Sequence, residues 1–299
     1  MVWVGIMGSA SGITSPRSDT MIEPILKGAA LLRDIESAAP GPRELAIWWL
    51  GQSGFALKSA AGLVYADLYL SEHLTAKYAN SPKPHIRMTT APIRGSEIDN
   101  ARIVLASHKH SDHLDPGTLP GLFAASPQAK LVLPAALIEH AVGLGLDRDR
   151  LLPMCGDDSL EVDGIQISAL PAAHPEFEKS PDHGHAFLGF VIDLGGIRVY
   201  HSGDTVVYAG LRDRLIALSP HVALLPINGR AGGEGTPPNM NAFEAIALAR
   251  EAKIPLVIPH HYDMFTFNTA DPAKFSQLAE DAGQAAYVLR PGERFTWRV

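Results

Sequence analysis

Cysteine is nearly absent. Cys155 stands alone among 299 residues, so no disulfide can form within the chain. That usage fits a reducing cytoplasm, which is the expected location. No uncharged apolar run is long enough to cross a bilayer as a helix, so no membrane association is expected. Positive charge is in deficit: 25 Lys and Arg stand against 32 Asp and Glu, a net charge of −7. A broad basic face for nucleic acid is therefore not expected. Nucleophile signatures are missing too. There is no G-x-S-x-G elbow, Cys155 has no catalytic signature around it, and Gly51-Gln52-Ser53-Gly54 is too short for a phosphate loop. What the chain has is 46% hydrophobic and only 19% charged residues, which excludes a wholly disordered polymer and supplies a large core. It also has 13 histidines, several at informative spacings.

Residues 1–20 read as a flexible extension or tag, rich in Ser and Gly after an apolar start, and residues 21–299 as one domain. Ile22 to Ile35 has a helical apolar pattern ended by Pro40-Gly41-Pro42. Strand signals follow at Leu45–Leu50, Phe55–Lys58 and Leu63–Ala66, the last two as a hairpin that runs directly into Asp67. Ser71 to Ile93 has no clear period and reads as a surface excursion of the kind that shapes binding sites. Further strands are expected at Ala101–Ala106, Val132-Leu133 and Ile165–Leu170, and a helix at Ala135–Val142. Phe187–Leu194 and Ile197–His201 flank Gly195-Gly196 as a second hairpin, and Asp204 follows it much as Asp67 follows the first. That echo suggests two similarly built halves. Apolar Val222–Ile227 reads as a strand, and Asn241–Ala252 as a helix with a capping box from Asn241 and Glu244. Pro255–Ile258 is expected as a strand, Asp271-Pro272 as a helix start, and Tyr287–Leu289 and Phe295–Val299 as closing strands. Strands with helices interspersed, and no dividing linker, point to an α/β domain of packed sheets with helices outside.

Ser107-His108-Lys109-His110-Ser111-Asp112-His113 is the most informative string. Neutral imidazole and carboxylate are natural ligands for zinc, manganese or iron. His108 and His110, two apart at a strand end, project to one side. Asp112 and His113 follow where the chain turns and can face a second point nearby. Burying so many imidazoles without cations would leave unpaired polar groups, which favours a metal site over a chance polar loop. His174, Asp204 and His261 each lie just past an expected strand, on the rim where an α/β scaffold carries its site. His260 and His261 are neighbours and point apart, so one of them reaches the metals.

From about Leu45 to its C-terminus the chain resembles the metallo-β-lactamase-fold hydrolases, on Asp67, the His108–His113 string, His174, Asp204 and His261. The resemblance implies a four-layer αββα sandwich. It implies two divalent metal ions, Zn or Mn with Fe possible: one held by His108, His110 and His174, the other by Asp112, His113 and His261, with Asp204 bridging and Asp67 orienting a ligand. Trp48-Trp49-Leu50-Gly51-Gln52-Ser53-Gly54-Phe55, Ile227-Asn228-Gly229-Arg230 and Pro259-His260-His261-Tyr262-Asp263-Met264-Phe265 are similar to the L-ascorbate-6-phosphate lactonase-like branch, whose Pro-x-His-Tyr pattern favours His261 as the ligand. His260 is then a satisfied buried histidine.

Such a site implies a hydrolase that uses a metal-activated hydroxide to open a small anionic lactone or ester of phosphorylated-sugar type. Asp112 is expected to orient that nucleophile as well as to bind metal. For the proton that a departing ring alkoxide needs, the candidates are His185, Tyr262 and a metal-bound water, and Tyr262 is also counted among the substrate contacts. Arg230, past the Val222–Ile227 strand, suits a phosphate or carboxylate of the substrate, or equally a surface salt bridge. Asn241 reads as a helix cap. Two other functions remain open: a phosphodiesterase or nuclease of the same fold, and a non-catalytic metal-binding protein. Related lactonases assemble, so a homo-oligomer is a further expectation.

Overall fold

The computed structural model describes residues 21–229 and 238–299. The extension expected at 1–20 and Arg230 lie outside them. Strands β1 (Glu44–Gly51), β2 (Gly54–Ser59), β3 (Gly62–Ala66), β4 (Ile103–Leu105), β5 (Lys130–Pro134) and β6 (Leu151–Met154) follow one another in the first sheet. Strands β7 (Ser159–Val162) and β8 (Ile165–Pro171) begin the second, and β9 (Lys179–Ser180) with β10 (Gly184–His185) forms a small ribbon. Then come β11 (Leu188–Asp193), β12 (Arg198–His201), β13 (Val222–Pro226) and β14 (Leu256–His260), and β15 (Arg294–Arg298) returns to the first sheet. The sheet orders are β15-β1-β2-β3-β4-β5-β6 and β14-β13-β12-β11-β8-β7. Helices α1 (Gly28–Ser37), α2 (His73–Lys77), α3 (Leu119–Ala125), α4 (Ile138–Gly143), α5 (Leu211–Leu218), α6 (Ala242–Glu251) and α7 (Pro272–Asp281) complete the described chain. The two mixed sheets are flanked by helices, the four-layer architecture that the resemblance implies.

β1 illustrates why the layers form. Seven of its eight residues are buried, because both of its faces are covered. Leu45, Ile47 and Trp49 face the core between the sheets, while Ala46, Trp48 and Leu50 join the core that holds Leu31 and Ile35 of α1. Trp48 Nε1 donates to Asp34 Oδ2 at 2.8 Å, tying α1 to the sheet. That helix starts later than its apolar pattern suggests. Ile22 instead pairs with Thr89 in a β-bridge, and Gly28 turns the chain with φ 54°.

Other elements follow their local chemistry. Asn241 and Glu244 form the expected reciprocal cap on α6, and Asp271 accepts from the amides of Ala273 and Lys274 to start α7. Tyr287–Leu289, expected as a strand, is not one: Tyr287 makes a single backbone bond to Val257, and the chain bends at Pro291-Gly292. Strands β6 and β7 and helices α3 and α5 lack a strong pattern in the sequence.

The echo of two halves is visible in the pairing. The β2–β3 hairpin is antiparallel and then β3 pairs parallel with β4; the β11–β12 hairpin is antiparallel and then β12 pairs parallel with β13. Asp67 and Asp204 thus leave the carboxyl ends of equivalent strands, at the edge where α/β scaffolds place ligands. Among the described residues no helix is long and apolar enough to cross a membrane.

Candidate metal centre

Five strand ends supply the site. Asp67 follows β3, residues 107–113 follow β4, His174 follows β8, Asp204 follows β12 and His261 follows β14. The backbone there is unusual. Asp67 (φ 44°), Gln52 (φ 49°) and His261 (φ 64°) are left-handed without being glycine, a conformation that needs support from its surroundings. The support is visible at two of them: His261 donates its amide to the Gln52 carbonyl at 3.0 Å. Gly203 (φ 56°) is the one residue that fits before Asp204, because a Cβ there would lie 2.6 Å from that of Ser107.

The side chains gather into two groups: His108, His110, His174 and Asp204 in one, Asp112, His113 and His261 in the other. Within each group the ligand atoms lie within 4.8 Å of one another. Asp204 adjoins both, with Oδ2 3.8 Å from His174 Nε2 and 3.4 Å from His261 Nε2, and Oδ1 3.4 Å from His113 Nε2. Asp112 Oδ2 is 3.7 Å from Nε2 of both His113 and His261.

Hydrogen bonds beneath the groups fix which nitrogen faces inward. The Asp67 carboxylate accepts from the Ser107 amide (2.7 Å), the Ser107 hydroxyl (2.6 Å) and His113 Nδ1 (2.6 Å). His201 Nε2 stands 3.3 Å from the same carboxylate. With its proton given to Asp67, Ser107 Oγ is an acceptor for His108 Nδ1 at 3.0 Å. Both imidazoles are thereby held as Nδ1–H tautomers with Nε2 directed into the cage. Fully buried His113 Nε2 and Asp204 Oδ1 have no hydrogen-bond partner, and His108 Nε2 faces His110 Nδ1 at 2.9 Å. Unpaired buried acceptors converging in this way fit a pair of divalent cations and little else.

Electrostatics agree. Burial pushes the His108, His110 and His174 imidazoles below their ordinary range, so they are neutral ligands. Burial alone would raise the Asp67 carboxyl; His113 and His201 reverse this and hold it well below the usual carboxylate range. Burial would lower His113, but Asp204, Asp67 and Asp112 raise it well above the usual histidine value, so these carboxylates invite a positive charge at Nε2, and a cation there would take the place of a second ring proton.

Not every expected residue joins the site. Tyr262 is buried, stacked on Trp49 with ring centroids 4.3 Å apart, and its hydroxyl donates to the Leu289 carbonyl, so it does not line the cavity. His185 packs edge-on against Phe177 in the β9–β10 ribbon, also outside the cavity. His260 is buried with Nδ1 3.0 Å from Ser53 Oγ; its Nε2 has no partner, so only one of its ring nitrogens is satisfied.

Gln52 has no place in ligand-spacing arguments, yet it reaches the cage. Its Nε2 donates to Asp112 Oδ2 at 2.8 Å and lies 3.1 Å from His261 Nε2. A Gln52→Leu substitution is expected to weaken metal binding at the Asp112–His113–His261 group by about 10–100-fold. Competition with a chelator measures it, and an unchanged affinity would remove Gln52 from the support of the cage.

Over the cage opens a cavity of about 540 Å³, floored by His110, Asp112, His174, Asp204 and His261.

The Beta-lactamase superfamily domain matches residues 46–261. The chain belongs to that superfamily. As a metallo-β-lactamase-fold hydrolase it is 30% identical over 263 residues to a UPF0173 metal-dependent hydrolase of Aeropyrum pernix, covering 83% of this chain and 95% of that one. A UPF0173 metal-dependent hydrolase of Thermofilum pendens is 32% identical over 213 residues, 70% of this chain and 85% of its own. Among solved structures, Igni18, a metallo hydrolase from Ignicoccus hospitalis, superposes on the hydrolase with TM-score 0.62 at 24% identity, covering 86% of this chain and 99% of Igni18. An isothiocyanate hydrolase from Delia radicum gut bacteria gives TM-score 0.68 at 17% identity over 85% and 99% of the two chains. At such identities these structures speak for the fold alone. Fold, family and cage together make the protein a metal-dependent hydrolase with a site of the dinuclear type.

Proposed function

We propose that the hydrolase opens a small anionic lactone or ester by attack of water on its carbonyl. His108, His110 and His174 hold one divalent cation, Asp112, His113 and His261 the other, and Asp204 is shared. The observation that carries this reading is the pair of donor groups joined through Asp204 at the floor of an open cavity. When bound, two such cations would supply Lewis acidity and lower the pKa of water towards about 7. Asp112, at the cavity floor and held by Gln52, has one oxygen to accept a proton from the attacking water and so aim it. Lys77, Lys83 and Lys109 line the same cavity, Lys109 also reaching Glu178 Oε1 at 3.2 Å, and the cavity's only carboxylates among the described residues are Asp112 and Asp204 of the cage. That balance favours an anionic substrate. His185 and Tyr262 do not line the cavity, which speaks against either as the proton donor and leaves the proton taken up by Asp112 for the departing alkoxide.

The 48–55, 227–230 and 259–265 strings favour the L-ascorbate-6-phosphate lactonase-like branch as one narrower form of this reading, in which Arg230 would meet the substrate's anionic group; the aromatic residues of the cavity wall favour a different one. The test is elemental analysis, then a panel of lactones, esters and phosphodiesters before and after chelation. Two equivalents of metal, turnover on lactones or esters, loss with the chelator and recovery with metal are expected. Turnover confined to phosphodiesters would replace the reading with a phosphodiesterase. Metal-loaded protein inert on all three classes would leave a metal-binding protein.

A further inference from the structure

One side of the cavity carries a cluster of aromatic rings. Tyr78, His85, Phe265 and Phe267 all line it, contributed by the 71–93 excursion and the segment after β14. Tyr78 and His85 stack with ring centroids 4.2 Å apart at 17°. His85 then meets Phe267 edge-on at 4.5 Å and Phe265 at 5.0 Å. His85 Nδ1 donates to the Lys83 carbonyl at 3.1 Å, and burial pushes its pKa down, so the ring serves as a neutral aromatic plate.

The shelf is stiff. Arg87, itself buried, donates to the carbonyls of Thr89 and Ser71 and lies over the Tyr69 ring at 5.0 Å. Backbone bonds run both ways between the two segments: the Met88 amide donates to the Met264 carbonyl at 2.7 Å and the Thr266 amide to the Ile86 carbonyl at 3.1 Å. Preformed rings lose little freedom when a ligand arrives. The three wall amides are partly engaged with one another: Asn228 Nδ2 donates to Asn268 at 3.0 Å and Asn239 Nδ2 to Asn228 at 3.1 Å, while Asn239 Oδ1 is unpaired. Few of those amide groups are left for the hydroxyls of a sugar.

We propose that the shelf of Tyr78, His85, Phe265 and Phe267 selects an aryl or arylalkyl group, so that the substrate class is an aryl-bearing ester or lactone rather than a phosphosugar. The proposal rests on the hydrolase reading and narrows it. Offset or edge-on contact with two of these rings favours an aryl group over an alkyl group of equal length by about tenfold.

The test is calorimetric binding to the protein carrying the metal that elemental analysis identifies, with acetate, hexanoate, phenylacetate and glucose 6-phosphate as probes. Acetate reads the cage alone; the others read cage plus wall. Phenylacetate is expected to bind at least about tenfold tighter than hexanoate. Phe267→Leu and Tyr78→Leu are each expected to remove most of that preference while leaving acetate binding unchanged. Tyr78, at the end of α2, decides if Phe267→Leu melts early. Equal affinities for phenylacetate and hexanoate, a preference untouched by both variants, or tighter binding of glucose 6-phosphate would overturn the proposal. Failure of the hydrolase reading shows separately, as absent turnover on every ester and lactone, while the binding ratio still judges the shelf.

Discussion

Asp204→Ala is expected to lower metal content from two equivalents to one or none and to reduce kcat/KM by about 10³-fold or more, some 4 kcal/mol of transition-state stabilisation. Asp204 is the one side chain whose oxygens face both donor groups, at 3.4 Å from His113 and His261 and 3.8 Å from His174. Its loss removes a charge shared by two cations and leaves them closer to mutual repulsion. Asp204→Asn preserves shape but halves the acceptor capacity, so its metal content is expected to fall as well. Inductively coupled plasma analysis of both variants, with circular dichroism as a check on folding, measures this. Two equivalents of metal retained in Asp204→Ala would remove Asp204 from the shared position.

The second large effect belongs to a residue that never reaches the cavity. Asp67→Ala is expected to destabilise the metal-free fold by about 3–5 kcal/mol, because the buried carboxylate is removed and the donors gathered on it stay buried without a partner. The Ser107 amide and hydroxyl, His113 Nδ1 and His201 would lose their common acceptor. Metal affinity is expected to fall about 10–100-fold, since His113 would no longer be held as the tautomer with Nε2 inward. Asp67→Asn, which keeps one acceptor oxygen, should fall between wild type and Asp67→Ala. Urea denaturation and chelator competition give the two numbers. Changes below about 1 kcal/mol and threefold would mean that Asp67 fills space rather than orients.

How much of this was legible in the sequence differs by layer. The His108–His113 string is local, and strand-end geometry suffices to point its members at two neighbouring positions; the assignment of His174, His261 and Asp204 to them comes from the family resemblance. Asp67 and Asp204 are readable because each follows a hairpin whose alternation and turn are strong. Gln52 and His201 are different. Their roles come from strands that meet only in three dimensions, β1–β2 against β14 for Gln52, and β12 beneath β3 for His201, and no spacing encodes such contacts. Tyr262 follows a metal-ligating histidine in sequence, yet the left-handed turn at His261 sends its ring back over Trp49. His185 sits in a ribbon too short to be seen as strands and faces Phe177. The aromatic shelf is also tertiary: Ser71–Ile93 has no period of its own, and Tyr78 and His85 become a wall only where Phe265 and Phe267 pack against them.

The central claim is that seven side chains from four strand ends form one cage for two cations. Anomalous diffraction from crystals grown with the metal found by elemental analysis tests it most directly. Two peaks are predicted, about 3.5–4 Å apart, one among His108, His110 and His174 and one among Asp112, His113 and His261, with Asp204 touching both. A peak outside these groups, or no ordered metal at full loading, would contradict it.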